Sequence, residues 1–453
     1  MVDSYVQVPP DSTGKKLAAR QHTLSAETVQ TPLQHIVSGD NAAYALSIDY
    51  RGAAQVRFTE GQPIVSSYGA LKTERERQLG IYESTLESPD NLFTISTATG
   101  GTSTYQASKS STVLAVTGSS GSRCTRTTNR YHYYLPGTSA LARFSVACGD
   151  AGKVGNKRRW GCFDDNDGIF FELNGTDLRA VVRTSTPGVV VESPIPRSAW
   201  TDKLDGTGPS GFTLDVTKVN NYWADFTFSG AGRVRFGVYE PGGSRLVAYT
   251  IQTGNSATYP MIRAATLPIR TENLNTADTG SSSELREVVL SASMEGDALD
   301  YTFWRAADME AINVTTTTDT HLLSVKSIAT INGKHNAVNA YPETLNLCVV
   351  GGAVQIYLWE NTSLTSPTWN VGGDNTLLGA VDGTLSTASA RKVLSFFVAE
   401  GCSKIDLRDY FEVNDDGILC NADGTARVWS ITATKRSGTT VTTSVNLGYR
   451  ELW

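Results

Sequence analysis

The chain has 453 residues, 40% hydrophobic and 19% charged, with 39 Lys and Arg against 45 Asp and Glu for a net charge of −6. This is the composition of a globular protein too long for one core, so two or three domains are expected, and disorder is excluded. No concentrated basic run offers a face for duplex DNA; the densest, Lys157-Arg158-Arg159, reads as a solvated loop ahead of a strand.

Residues 1–94 read as an N-terminal section. Its first forty residues are polar, with Pro9-Pro10, and read as an extended arm that wraps a neighbouring subunit, with a mobile tail as the alternative. Tyr44, Leu46, Ile48 and Tyr50 then alternate with Ala45, Ser47 and Asp49, the period-two pattern of a strand with one buried face. Leu71 to Leu79, around Glu74-Arg75-Glu76-Arg77, is the best helical stretch in the chain and would be short. Thr97 to Ser111 is rich in Gly, Ser and Thr and reads as a boundary or long loop.

Residues 95–293 read as a central β-sandwich. Ile169, Phe171 and Leu173 share one face, Asn174-Gly175 favours a type I′ hairpin, and Leu178, Ala180 and Val182 return on the same face, with Arg179 and Arg183 pointing out. Tyr222 to Phe228 alternates as another strand. Val234, Phe236 and Val238 form a second hairpin with Leu246 to Ile251 across Pro241-Gly242-Gly243. Strands and turns at this spacing predict two amphipathic sheets that cover each other. After the polar link Asn275 to Ser283 and one more apolar stretch at Val288-Val289-Leu290, residues 294–453 read as a second sandwich. There Leu345, Leu347 and Val349 turn at Gly351-Gly352 and return as Val354, Ile356 and Leu358, and Val441 to Leu447 is strand-like. The fold class is therefore all-β, two β-sandwich or jelly-roll-like domains preceded by an arm and a small β section.

No apolar run reaches the ~18 residues of a membrane helix, and Met1-Val2-Asp3-Ser4 leads into no signal-peptide core, so folding in a cytoplasm is expected. Cys124, Cys148, Cys162, Cys348, Cys402 and Cys420 are scattered without CxxC pairs and read as buried free thiols, Cys348 above all in its apolar run. The five histidines, His22, His35, His132, His321 and His335, share no ligand spacing with them, so neither zinc nor any other cofactor is expected.

The chemical motifs read as structural. Gly206-Thr207-Gly208-Pro209-Ser210-Gly211 matches GxGxxG, but a polar stretch precedes it and a strand follows, so no helix start is there for a pyrophosphate. Asp164-Asp165-Asn166-Asp167-Gly168 and Asn414-Asp415-Asp416-Gly417 lack EF-hand spacing and read as Asx turns rather than calcium loops. No GxSxG elbow accompanies any histidine. His132, within Tyr131-His132-Tyr133-Tyr134, reads as sheet packing, with a sugar-stacking loop as the alternative.

Phe163-Asp-Asp-Asn-Asp-Gly-Ile-Phe-Phe-Glu, Lys203-Leu-Asp-Gly-Thr-Gly-Pro-Ser-Gly and Gly232-Arg-Val-Arg-Phe-Gly-Val-Tyr together resemble a module of tailed-phage virion structural proteins from neck, tail, baseplate and fibre-attachment positions. The resemblance covers roughly residues 155 to 370 and supplies no functional residues. It implies a non-enzymatic building block of the virion, present as a homo-oligomer beside other virion proteins and tethered by its N-terminal arm, without nucleic-acid or membrane partners. A carbohydrate-binding receptor module for host surface glycans is the alternative from another class, and a glycan depolymerase is a third. Capsid decoration is the alternative within the structural class.

Overall fold

The computed structural model describes residues 76–452 except 229–231, 257, 296–301, 372–375, 381 and 415–416, together with five short strands nearer the N-terminus. Residues 1–60 form a compact unit of their own. Within it, Asp3–Gln7, Lys16–Leu24 and Glu27–Pro32 pair as an antiparallel meander where an extended arm was expected. Strands pair through their backbones even where neither face is apolar, so polarity alone did not mark them. Ser47–Ile48 pairs with Ala54–Gln55; the rest of the strand expected over Tyr44 to Tyr50 lies outside the described residues.

The short helix expected over Leu71 to Leu79 is not formed in its described part. Glu76–Glu83 is a strand, antiparallel to Ser283–Glu295, and it buries Leu79 and Tyr82. Helix propensity is a weak prior, and here an available sheet neighbour overrides it. Glu76–Glu83 thus joins the central sandwich, although the sequence division at residue 94 leaves it in the N-terminal section. The Gly/Ser/Thr-rich stretch Thr97 to Ser111 is likewise not one long loop. It ends the strand Phe93–Ala98 and supplies Thr102–Gln106, paired with Ser111–Val116.

The central sandwich has a seven-stranded antiparallel sheet whose strands, in chain order, are β1 (Phe93–Ala98), β2 (Arg123–Thr128), β3 (Asn156–Phe163), β4 (Gly168–Asn174), β5 (Asp177–Thr184), β6 (Val191–Pro196) and β7 (Ile269–Asn275). Their order across the sheet is β6-β5-β4-β3-β7-β2-β1. An eight-stranded sheet centred on Ala140–Ala147 and Ser283–Glu295 packs on it. Trp160 reaches Tyr222 at 4.9 Å between ring centroids, and Phe171 reaches Phe236 at 5.2 Å, both across the two layers. Each ring fully withdrawn from water contributes about 2–3 kcal/mol of transfer free energy. The alternation read from sequence places Ile169, Phe171, Leu173, Leu178, Ala180 and Val182 in this core. The hairpin turn itself slips by one residue: Asn174 pairs with Asp177, so Gly175 and Thr176 are its central pair and Gly175 alone of the two has positive φ (61°). Glycine first of two is the type II′ arrangement, which closes a two-residue hairpin as well as I′ does.

The C-terminal sandwich faces a four-stranded sheet, in the order Thr302–Val314, Val441–Leu452, Asn339–Val350, Gly401–Asp406, against a six-stranded one. Leu345, Leu347 and Val349 on the former and Val354, Ile356 and Leu358 on the latter fill its core. The single α-helix among the described residues, Arg408–Asn414, packs on Asn339–Val350.

Two further residue groups depart from expectation. Cys348 and Cys402 face each other across neighbouring strands, with Cα atoms 4.1 Å apart, and form a disulfide on the partly exposed outer face. Alternation explains why Cys348 is not in the core: Leu347 and Val349 take the inward positions, which turns Cys348 outward. The other four cysteines are buried and free, and burial pushes the Cys124 and Cys162 thiols up to about 12 and those of Cys148 and Cys420 up to about 11. Thiol titration of the denatured, unreduced chain is therefore expected to find four reactive groups, rising to six after reduction; six without reductant contradicts the pairing. The second departure is Lys157-Arg158-Arg159. It lies inside β3, with Arg158 and Arg159 buried, rather than in a solvated loop.

Candidate functional site

The outer face of the seven-stranded sheet holds the densest array of charges among the described residues. Register brings them together: Arg159 of β3 stands opposite Glu172 of β4 on one side and Glu272 of β7 on the other. Arg159 Nε donates to Glu172 at 2.7 Å, and its Nη atoms reach Glu272 at 3.4 Å and Glu192 at 3.2 Å. Arg183 of β5 bonds the same Glu192 at 2.6 Å. Phe163, Phe170 and Val181 form a small apolar cluster on this outer face, apart from the main core, and the Arg159, Arg183 and Arg270 guanidiniums lie over its rings at 5.2–5.4 Å. The guanidinium planes keep water off the rings while their edges hold carboxylates, so each planar cation satisfies two neighbours at once.

Toward β2 and β1 the lattice gives way to short hydroxyls, Thr94, Ser96, Thr125 and Thr127, with Arg123 beside them. Here turns of the C-terminal sandwich overhang the sheet and enclose a cleft of about 460 Å³. One wall is the β3–β4 turn, Asp164, Asp165 and Asn166, with Arg270 and Tyr131. The other comprises Thr330, Gly333 and His335 of the hairpin Thr330–Ile331/Lys334–His335, and Asp423 with its neighbours Ala422 and Gly424. The walls meet where the Tyr131 and His335 rings stack, 4.2 Å between centroids and 23° apart. Asn339 Nδ2 also donates to the Tyr131 carbonyl at 3.5 Å, and Arg427 donates to the Asn91 carbonyl, fastening the sandwiches on either side.

Most charge in the cleft is held by the protein. Arg270 binds Asp165 at 2.6 Å and Glu272 at 3.3 Å. Burial alone would raise the Asp165 carboxyl, but Arg270 outweighs it and holds the group below the usual range. Tyr131 donates to Asp164 at 3.4 Å; burial and then that carboxylate raise its phenol, which stays protonated. Burial lowers His335 despite opposing pull from Asp164 and Asp423, so the imidazole is neutral at pH 7, and its Nε2 is buried with no hydrogen-bond partner. Asp423 caps its own turn through Thr425 N at 2.9 Å and Oγ1 at 2.6 Å. Arg123 is exposed, and its guanidinium donates to Ser96 Oγ at 3.4 Å. The cleft thus offers hydroxyls, an exposed guanidinium with donors to spare, carboxylate edges and an orphaned imidazole nitrogen, a lining for a polar ligand with many hydroxyls.

The motifs read from sequence fall in different places. Asp164 to Gly168 is an Asx turn, Asp164 accepting from Asn166 N at 2.7 Å and Asp167 N at 2.8 Å, and Asp167 is consumed by Ser185 and Arg263 N. Asn414-Asp415-Asp416-Gly417 has its two aspartates outside the described residues. The GxGxxG string is a turn closed by Asp202, which accepts from Leu204 N and Ser210 N, and a strand-like bridge pairs Asp205 with Thr213. Of Tyr131 to Tyr134, all four side chains are buried, and Tyr131 alone lines the cleft. His321 Nε2 lies 2.8 Å from Ser324 Oγ, a nucleophile–base distance, but Ser324 is fully buried in mid-sheet and shares its hydroxyl with Ser430, out of reach of substrate. Arg123, Arg270, His335 and Asp423 carry no motif; Asn332-Gly333 and Asp423-Gly424 signal turns, but nothing local tells that these turns overhang β2.

No protein-family model matches the chain. No curated protein matches it either. Among solved structures it is similar to the CBM2 module of the evolved Dit of Lactobacillus casei BL23 phage J-1, at 9% identity and a TM-score of 0.31, covering 50% of this chain and 99% of that one. It is also similar to the carbohydrate recognition domain of Emp46p in its metal-free form, at 9% identity and TM-score 0.30 over 48% and 97% of the two chains. A β-1,3-glucanase from Mycobacterium marinum aligns at 12% identity and TM-score 0.32 over 48% and 98%. No helix among the described residues is long and apolar enough to cross a membrane.

Proposed function

We propose that this chain is a non-enzymatic structural protein of a tailed-phage virion, assembled in several copies in the tail, baseplate or neck, and that its cleft takes a carbohydrate of the host surface. The observation that carries the binding half is the cleft built jointly by the two sandwiches. Its volume falls within the roughly 300–1,000 Å³ of small-ligand sites, and its carboxylates are already engaged: Asp165 is ion-paired to Arg270, Asp164 accepts from Tyr131, and Asp423 accepts from Thr425. A ligand that donates and accepts through hydroxyls suits such walls better than a strongly charged one.

The virion half rests on the resemblance carried by Phe163 to Glu172, Lys203 to Gly211 and Gly232 to Tyr239. The surface supports it: Val189, Val190 and Val191, 66, 48 and 41% exposed, run into β6 at the free edge of the seven-stranded sheet. An open apolar edge is what a neighbouring copy covers in an assembly and what a solitary protein avoids. The N-terminal unit is the tether in this reading.

Light scattering is expected to find a discrete oligomer for the full chain that is lost on removal of residues 1–40; monomers in both preparations would remove the assembly half. On a printed array of bacterial surface glycans, Arg123→Ala is expected to lower retention about tenfold, the worth of one charge-assisted hydrogen bond. Unchanged retention in that variant counts against the cleft.

A further inference from the structure

We propose that the outer face of the four-stranded C-terminal sheet is a second saccharide-binding groove, read by Asp308, Asn446, Asn346 and Lys404. These residues are consecutive cross-strand neighbours: Asp308 lies opposite Asn446, Asn446 opposite Asn346, and Asn346 opposite Lys404. The row therefore crosses every strand of the sheet and extends about 14 Å at the usual strand spacing. A hollow of about 730 Å³ lies along it.

The row is polar and mostly unspent. Asn346 Nδ2 donates to Asn446 Oδ1 at 3.1 Å, which leaves Asn446 Nδ2 to donate and Asn346 Oδ1 to accept. Asp308 and Lys404 are exposed at opposite ends, three strand spacings apart, too far to neutralise each other. Acceptor, amide pair and donor thus repeat at the strand spacing with no partner of their own beyond one internal bond. Such a series matches the alternating donors and acceptors of a sugar's hydroxyls.

The floor beside the row is cut low. Ala306 faces Gly448 in the next register position of the same face, and a Cβ on Gly448 would come within 2.5 Å of Thr344 Oγ1. Two positions further along the edge strand stands Trp304, 64% exposed, on the same face as Asp308 and about 13 Å from it. On the other side of the row lie Ser444 and the Cys348–Cys402 disulfide. An exposed indole about 13 Å along the edge strand from the row's end gives the apolar face of a further ring of the same chain its platform. A peptide's apolar side chains would leave the polar row unmatched, whereas a sugar ring meets the row with its hydroxyls and the apolar surface beside it with its C–H face. The groove shares no residue with the interdomain cleft, so neither proposal depends on the other.

The test uses the full-length protein on a printed array of bacterial capsular, cell-wall and lipopolysaccharide glycans. Asn446→Ala, Lys404→Ala and Trp304→Ala are each expected to lower retention of one set of glycans by about fivefold to tenfold, one hydrogen bond or one stacking contact each. All three side chains reach the surface, and an unchanged thermal midpoint verifies the fold of each variant. Arg123→Ala in the cleft leaves that set untouched. The proposal is overturned if folded groove variants retain every glycan as the parent does, if the full chain retains none, or if Arg123→Ala alone removes all binding. In the last case the cleft reading stands without the groove.

Discussion

Acidification from pH 6.5 to about 3 is expected to lower the unfolding free energy by about 4–5 kcal/mol through His132 alone. The imidazole is buried between the sheet and Tyr82, and burial, then the Arg130 charge, hold its pKa near 3 despite the bond to the Leu267 carbonyl. That bond, Nδ1 to carbonyl oxygen at 3.2 Å, requires the proton on Nδ1, so Nε2 accepts from the Tyr82 hydroxyl at 3.0 Å. A second proton would put a charge in this buried site beside the Arg130 charge. The folded pKa is depressed below the unfolded one, so below pH 6.5 the unfolded chain takes up a proton that the folded chain refuses. The contribution is complete above pH 6.5 and is lost on falling toward 3, at about 1.4 kcal/mol per pH unit. Denaturant unfolding at a series of pH values reads this directly, comparing the parent with His132→Gln. Other groups titrate equally in both proteins and cancel in the difference. Parallel pH profiles would show that His132 is not buried neutral.

Removing one member of the Asp225–Arg235 pair is expected to cost about 3–5 kcal/mol. Asp225 on Asn220–Phe226 lies directly opposite Arg235 on Arg233–Tyr239, Arg235 Nε donates at 2.9 Å, and both are fully buried. Both charges are withdrawn from water, so Asp225→Ala takes from the buried Arg235 guanidinium the carboxylate directly opposite it. The double replacement Asp225→Leu with Arg235→Met removes both charges at similar volume and is expected to recover most of the loss. Equal stability of single and double variants, measured by urea unfolding, would mean that the pair is solvated.

The sandwiches were legible because alternation is local. Ile169, Phe171 and Leu173 had to share a face whatever lay beside them, and Leu345, Leu347 and Val349 likewise. The same rule, followed one step further, places Cys348 outside the core, yet an apolar run drew it inward in the reading. Charge misled in the other direction. Lys157-Arg158-Arg159 looks solvated because its carboxylate partners lie on strands far away in sequence, Glu172 on β4 and Glu272 on β7. Polarity also hid the N-terminal meander, whose pairing is made by backbone groups that every residue carries.

The sequence by itself determined that this protein is all-β, where its main hairpins turn and which aliphatic and aromatic residues fill its cores, since a two-residue period and a turn residue act on their immediate neighbours. Tertiary structure alone decided that Cys348 meets Cys402, that arginines on one sheet face hold carboxylates from three other strands, and that Asn332-Gly333 and Asp423-Gly424 overhang the hydroxyls of β1 and β2. Sheet order sets β7 between β3 and β2, with most of the domain separating it from both in sequence, and that order is fixed by the packing of the entire chain rather than by any segment within it.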